Sequence, residues 1–196
     1  MIPSHCPNQR LSNPPPPPRG WCFCESSVSN LVKSSNFVLD LGKFDEESMK
    51  DFKAVQIGCI ANRDPPLTPS EFRPELATKS FTSKNADEEM VNRLFEAEFN
   101  KRMGGVTWLN YAGLKWTDKA AVAVSKVIAT GVLKKLERLL LDDNQIGDAG
   151  VMALAEAAGK GTLPQLTTLF LGNNSTISQQ AQDALKAALP DCKVYV

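Results

Sequence analysis

Leu136-Glu137-Arg138-Leu139-Leu140-Leu141-Asp142-Asp143-Asn144-Gln145-Ile146-Gly147-Asp148-Ala149-Gly150 is the stretch on which the fold turns. Leu139 and Leu141 fall on one side of a short strand and Arg138 and Leu140 on the other, because side chains alternate along an extended chain. Asn144 follows at the turn, and Ile146 brings the chain inward again. The pattern recurs from Leu166, with Leu169, Leu171, Asn174 and Ile177, and in degenerate form from Val106, with Leu109, Tyr111, Leu114 and Trp116. Equivalent residues stand 30 apart (136 − 106 and 166 − 136). Each copy continues as an amphipathic helix, marked by Val124 and Val127, then Leu154 with Ala157 and Ala158, then Leu185 with Ala188 and Leu189. One such unit cannot bury its apolar side alone, so neighbours must stack.

Over Val106 to Val196 this pattern resembles the leucine-rich repeat, in its long ribonuclease-inhibitor-like subtype. The resemblance implies an α/β fold: a short leucine-rich-repeat solenoid over residues 105–196, with parallel strands on a concave face and helices on the convex face. In that family the turn asparagine bonds to backbone and builds a ladder between repeats, a role that falls on Asn144 and Asn174. Leu114 takes that rung in the first copy and has no amide to offer. The third copy carries one inserted residue between Asn174 and Ile177. The segment Cys192 to Val196 is expected to add an edge strand, with Val194 and Val196 facing inward.

The residues between the leucines form columns on the concave side: Trp108/Arg138/Thr168, Asn110/Leu140/Phe170 and Ala112/Asp142/Gly172. Leu140 beside Phe170, with polar neighbours around them, has the composition of a protein-binding patch. The expected partner-binding set is therefore Trp108, Asn110, Arg138, Leu140, Asp142 and Phe170, unless the N-terminal half of the chain covers them. Some repeats of this subtype regulate small GTPases, so the resemblance also implies that alternative.

Three further segments precede the repeats. Residues 1–20 are rich in proline and are expected to be disordered; Pro14, Pro17 and Arg19 match a P-x-x-P-x-R ligand of SH3 domains. Trp21 to Ser34 reads as a helix with Cys22, Ser26, Val28/Ser29 and Leu31/Val32 on one face. Asn36 to Leu41 reads as a buried strand, and Asp45 to Ala61 as a helix led by acidic residues. Thr68, Pro69 and Glu71 spell a capping box with proline at the first helical position, and Pro74 is expected to disrupt that helix early. Residues 87–103 form the clearest helix, with Met90, Val91, Leu94, Phe95 and Phe99 as its apolar stripe, ended by Gly104-Gly105 in a left-handed turn. Joined to the first repeat by two glycines, it is the natural cap for the exposed edge of the repeats.

The motif Trp21-Cys22-Phe23-Cys24-Glu25 resembles the W-C-x-x-E of TIR domains, where the glutamate is the catalytic residue for NAD hydrolysis. Residues 21–104 then look like a partial TIR-like α/β segment, and the stretch from Pro65 to Thr82 is similar to TIR-related modules joined to repeats in large protist and algal proteins. Carried over, Glu25 is the alternative catalytic residue and NAD the alternative substrate, with Trp21 and Cys22 packing. The chain departs from the family at Arg19, where a serine is expected, and in having only the proline-rich residues before Trp21 in place of the first strands. A lone glutamate cannot position and shield a nucleotide.

Composition narrows the remaining classes. The formal net charge is zero, which gives no electrostatic reason to expect nucleic acid or an acidic membrane surface. No apolar run approaches the ~18 residues that span a bilayer. Five scattered cysteines suit reduced thiols and a cytoplasmic protein. His5 is the single histidine, which removes serine triads and histidine metal sites within one chain. Cys22-x-Cys24 and Asp142-Asp143 lack the further ligands a metal needs, so no metal or cofactor is expected. The sequence reading favours a binding protein over an enzyme.

Overall fold

The computed structural model describes residues 19–34, 37–175 and 177–196. The proline tract and the SH3-ligand motif that ends in Arg19 therefore lie outside the described residues, apart from Arg19 itself. Four helices lead the chain: α1 (Gly20–Val32), α2 (Phe52–Gly58), α3 (Pro69–Ala77) and α4 (Lys84–Gly105). A parallel sheet follows in the order β1-β2-β3-β4, from β1 (Trp108–Asn110), β2 (Arg138–Leu140), β3 (Thr168–Phe170) and β4 (Lys193–Tyr195). Helices α5 (Asp118–Ala129), α6 (Asp148–Ala158) and α7 (Gln179–Ala188) connect successive strands. The described residues thus form a mixed α/β structure of seven helices and one four-stranded parallel sheet.

The 30-residue period reappears in the backbone. Strand register aligns Leu109 with Leu139 and Leu169, and Val194 takes the fourth place. Gly113, Asp143 and Asn173 all adopt positive φ, at 70°, 55° and 55°, where glycine, Asp and Asn are the residues that tolerate a left-handed turn. Gly131 and Gly161 repeat the conformation after α5 and α6, at 69° and 68°. Leu109, Tyr111, Leu139, Leu141, Leu169 and Leu171 are buried in one core with Val124, Val127, Ile128, Leu154 and Leu185 of the helices. On the other face of the sheet Trp108, Arg138, Lys193 and Tyr195 are exposed.

That core is continuous with the N-terminal half. Phe23 stacks on Phe72 at 5.1 Å and Phe72 on Phe95 at 3.8 Å, which fastens α1, α3 and α4 together. Gly20 lets the Phe81 ring lie against the start of α1; a Cβ there would come within 1.9 Å of the ring. The capping box forms as the sequence reads, with Thr68 Oγ1 accepting from the Glu71 N–H and Glu71 Oε2 from the Thr68 N–H. Glu71 also pairs with Lys126 Nζ at 2.6 Å, which ties α3 to α5.

Several local expectations are corrected. Phe37 to Leu41 forms no strand beyond an isolated bridge between Leu39 and Ile60, because no further strand lies alongside; Leu41 is 71% exposed, within a 3₁₀ turn at Leu41–Lys43 that the Asp40 side chain caps. Among the described residues, 21–104 is therefore helical rather than α/β. The helix expected from Asp45 is shortened to α2, because Asp45 folds its carboxylate onto the N–H groups of Glu47 and Ser48 and Asp51 caps the helix instead. Helix α3 continues past Pro74 to Ala77. Helix α1 buries Cys24, Ser27 and Leu31, a face one step round from the expected one, so Cys22 is exposed and Trp21 is 41% exposed rather than packed. On α4, Val91, Phe95, Phe99 and Met103 are buried, whereas Met90 and Leu94 face solvent; the helix ends at Gly105 without a left-handed glycine. Val194 packs partly against the core, but Val196 is exposed.

Candidate functional site

The open face of the sheet is built by strand alternation. With Leu109, Leu139 and Leu169 committed to the core, Trp108, Arg138, Thr168 and Lys193 must share one row on the opposite face, and Asn110, Leu140, Phe170 and Tyr195 the next. Adjacent strands lie about 4.8 Å apart, so side chains along a row touch. The Arg138 guanidinium sits over the Trp108 ring, 5.6 Å from its centroid. Phe170 and Tyr195 stack at 4.9 Å with planes 9° apart. Trp108 and Tyr195 stay 43% and 50% exposed, and Leu140 and Phe170 are half-buried between them. The patch is thus partly closed by its own neighbours and remains open to solvent.

Asp142 lies beyond the apolar row, at the strand end. Its Oδ1 is buried without a hydrogen-bond partner, and burial, reinforced by the neighbouring Asp143 carboxylate, raises its pKa. Asn110 is half-buried; its Oδ1 accepts from the Ala112 N–H at 3.0 Å, and its carbonyl accepts from Arg63 Nη2 at 3.3 Å. Among the described residues, the hydrogen bond from Arg63 joins the N-terminal half to this face at its Asn110 corner.

Asn144 and Asn174 bridge the turns that follow the strands. Asn144 Oδ1 accepts from the N–H groups of Leu114 and Trp116, both at 3.0 Å, while its amide donates to the carbonyls of Tyr111, Leu141 and Asp142. Asn174 Oδ1 accepts from the Ile146 N–H at 2.9 Å, and its amide donates to Leu141 and Leu171. Each amide thus bridges its own turn and the preceding one. Leu114 makes no such bridge. At that level the first repeat is held by the N-terminal half instead: the Tyr111 hydroxyl donates to the Leu31 carbonyl, and Trp116 Nε1 donates to the Arg63 carbonyl at 2.8 Å. Burial raises the Tyr111 pKa far above the ordinary phenol value, so that hydroxyl stays a donor.

Sequence reasoning missed three features. Tyr195 and Lys193 complete the two rows, and alternation with Val194 was the signal. Asp118 and Asp148, 30 apart, cap the next helix across the repeat boundary: Asp118 Oδ1 accepts from the N–H groups of Gly147 and Gly150, and Asp148 Oδ1 from that of Ser178. Between Phe37 and Gly58, five large apolar side chains (Phe37, Leu41, Phe44, Phe52 and Ile57) are exposed, and α2 buries none of its residues.

Glu25 lies elsewhere, on an open groove of about 610 Å³ between α1 and α4, lined also by Trp21, Cys24, Val28, Val32, Lys33 and Arg102. Glu25 itself is exposed. Arg102 is already paired to Glu98, 2.6 Å away. Among the described residues no group of three or more His, Cys, Asp or Glu side chains is placed to hold a metal ion, and no helix is long and apolar enough to cross a membrane. No family model matches the chain, and no curated protein matches it significantly in sequence.

Proposed function

We propose that the chain is a leucine-rich-repeat interaction protein that binds a protein partner through the open face of its sheet, the concave face of such an array. The observation that carries this reading is the continuous row Leu140–Phe170–Tyr195, flanked by the exposed Trp108 and Arg138 on paired parallel strands. Aromatic and arginine side chains that are partly exposed on a preorganised surface are the usual anchors of protein interfaces. The parallel register, the 30-residue period and the asparagine bridges support the repeat assignment. The test is Leu140→Asp combined with Phe170→Asp. Both residues are only half-buried and face away from the core, so circular dichroism should stay unchanged while partner recovery on the immobilised protein is lost. Full recovery of every partner by the folded double variant would refute the reading.

A second reading attaches to Glu25, because it lines the open groove between α1 and α4. There it would act on the glycosidic bond of NAD, with Lys33 beside it for the anionic phosphates. One carboxylate on an exposed helix face offers little exclusion of water, and the binding reading is the stronger. Incubation with NAD decides it: turnover above buffer that Glu25→Ala removes would support hydrolysis, and equal rates for both proteins at the buffer level would remove it.

A further inference from the structure

The open face is electrically divided. At the strand starts, Arg138 and Lys193 stand in one row, and among the described residues no carboxylate pairs with either. Arg138 is oriented by the Trp108 ring rather than neutralised, so its N–H edges remain free. In the middle runs the apolar row of Leu140, Phe170 and Tyr195, and at the strand ends lie Asp142 and Asp143. Resting on the reading of this face as the docking surface, we infer that its occupant is an acidic amphipathic helix of about three turns, lying across the strands with its carboxylates over Arg138 and Lys193 and its apolar stripe on Leu140, Phe170 and Tyr195.

Spacing selects a helix. Successive strands are about 4.8 Å apart, close to the helical pitch of about 5.4 Å, so a helix crossing the strands presents roughly one side chain of a given stripe to each strand. Arg138 and Lys193 sit two strands apart, about 10 Å, which carboxylates seven residues apart on a helix match. Neighbouring residues of the same row along a strand are about 6.6 Å from the next row, the offset between the polar and apolar stripes of one amphipathic helix. Charge decides the sign: carboxylates meet two unpaired cations. A nucleic-acid strand would match the aromatic and basic rows equally well but would bring phosphates against Asp142 and Asp143, as the neutral chain as a whole also disfavours.

The experiment selects a phage-displayed library of random linear 16-residue peptides on three forms of the full chain. These are the parent, the charge variant Arg138→Glu with Lys193→Glu, and the face variant Leu140→Asp with Phe170→Asp. The parent should enrich sequences with apolar residues at helical spacing and Asp or Glu seven apart, absent from both variants. A synthetic copy of the leading sequence should lose about tenfold or more in affinity on the charge variant, and about threefold from raised salt on the parent. A copy with Lys in place of its acids should prefer the charge variant. Enrichment of neutral or basic sequences on the parent that the face variant loses would overturn the acidic partner while leaving the face as a docking surface. Identical enrichment on parent and face variant would overturn the docking surface itself. A 20-nucleotide thymidine strand that outcompetes the selected peptides on the parent would assign the face to nucleic acid and overturn the inference.

Discussion

Removing the Asn144 amide should be the most costly single truncation on the polar side of the repeats, and its cost can be worked from its partners. Asn144→Ala leaves the Leu114 and Trp116 N–H groups without an acceptor and the Tyr111 carbonyl without a donor. The Leu141 carbonyl keeps its bond from Asn174, and the Asp142 carbonyl keeps that from the Gly113 N–H. Three buried backbone groups at about 1–1.5 kcal/mol each predict a loss of about 3–4 kcal/mol. Asn174→Ala orphans only the Ile146 N–H and the Leu171 carbonyl, one group fewer, because the Gly172 carbonyl still accepts from the Asp143 N–H. At the same cost per group that predicts about 2–3 kcal/mol. The two amides share the Leu141 carbonyl, so the double variant orphans one group that neither single variant does, and the losses should exceed additivity by about 1 kcal/mol. Urea unfolding followed by tryptophan fluorescence, with linear extrapolation, measures all three. An Asn174→Ala loss as large as that of Asn144→Ala, or a strictly additive pair, would refute the assignment of the ladder.

Other changes probe the remaining contacts. Gly150→Ala should cost about 1–3 kcal/mol despite alanine's better helix propensity, because its Cβ would sit 2.8 Å from Ala121 Cβ, Asp118 Oδ1 and Ile146 Cγ2; a thermal midpoint at or above the parent's would contradict that packing. Asp118→Ala should cost about 1 kcal/mol by removing the cap on α6, and more than Asp148→Ala, which loses one exposed bond; the reverse order in denaturant titrations would count against the capping role. Burial alone would raise the Glu71 pKa, but its bonds from Lys126 and Thr68 outweigh this and hold it below the ordinary carboxylate range. A depressed folded pKa stabilises at neutral pH, and that contribution disappears as pH falls through the carboxylate range. Glu71→Gln, which keeps the capping box, should therefore destabilise by less than about 1 kcal/mol at pH 7 and by nothing measurable at pH 3, with unfolding midpoints at the two values as the check.

The sequence was most informative where one pattern recurred. A strand's two faces differ by a single residue of register, so Leu109, Leu139 and Leu169 at a common spacing fixed which side chains meet the core and which meet solvent. Phe37 to Leu41 has equally strong β propensity, but a strand also needs an edge to pair with, and pairing is not a local property. The misplaced face of α1 has a similar cause: which of Cys22 and Cys24 is buried depends on how α1 meets α3 and α4, through Phe23 and Phe72. The candidate face was legible as far as Phe170 and stopped short of Tyr195, because β4 lacks the leucine signature that announced the other three strands.

The bonds from Tyr111 to Leu31, from Trp116 to Arg63 and from Lys126 to Glu71 join the first repeat to three different segments of the helical half. Stacked repeats ordinarily behave as a one-dimensional chain of modules, each free to melt or be duplicated at modest expense to the rest. Here the first module is sutured to a non-repetitive body, so fraying cannot begin at that end without opening the aromatic stack behind it. The first module and the helical body should therefore unfold together. An extra repeat inserted at that junction would sever all three ties together, whereas one inserted between β2 and β3 would leave them intact.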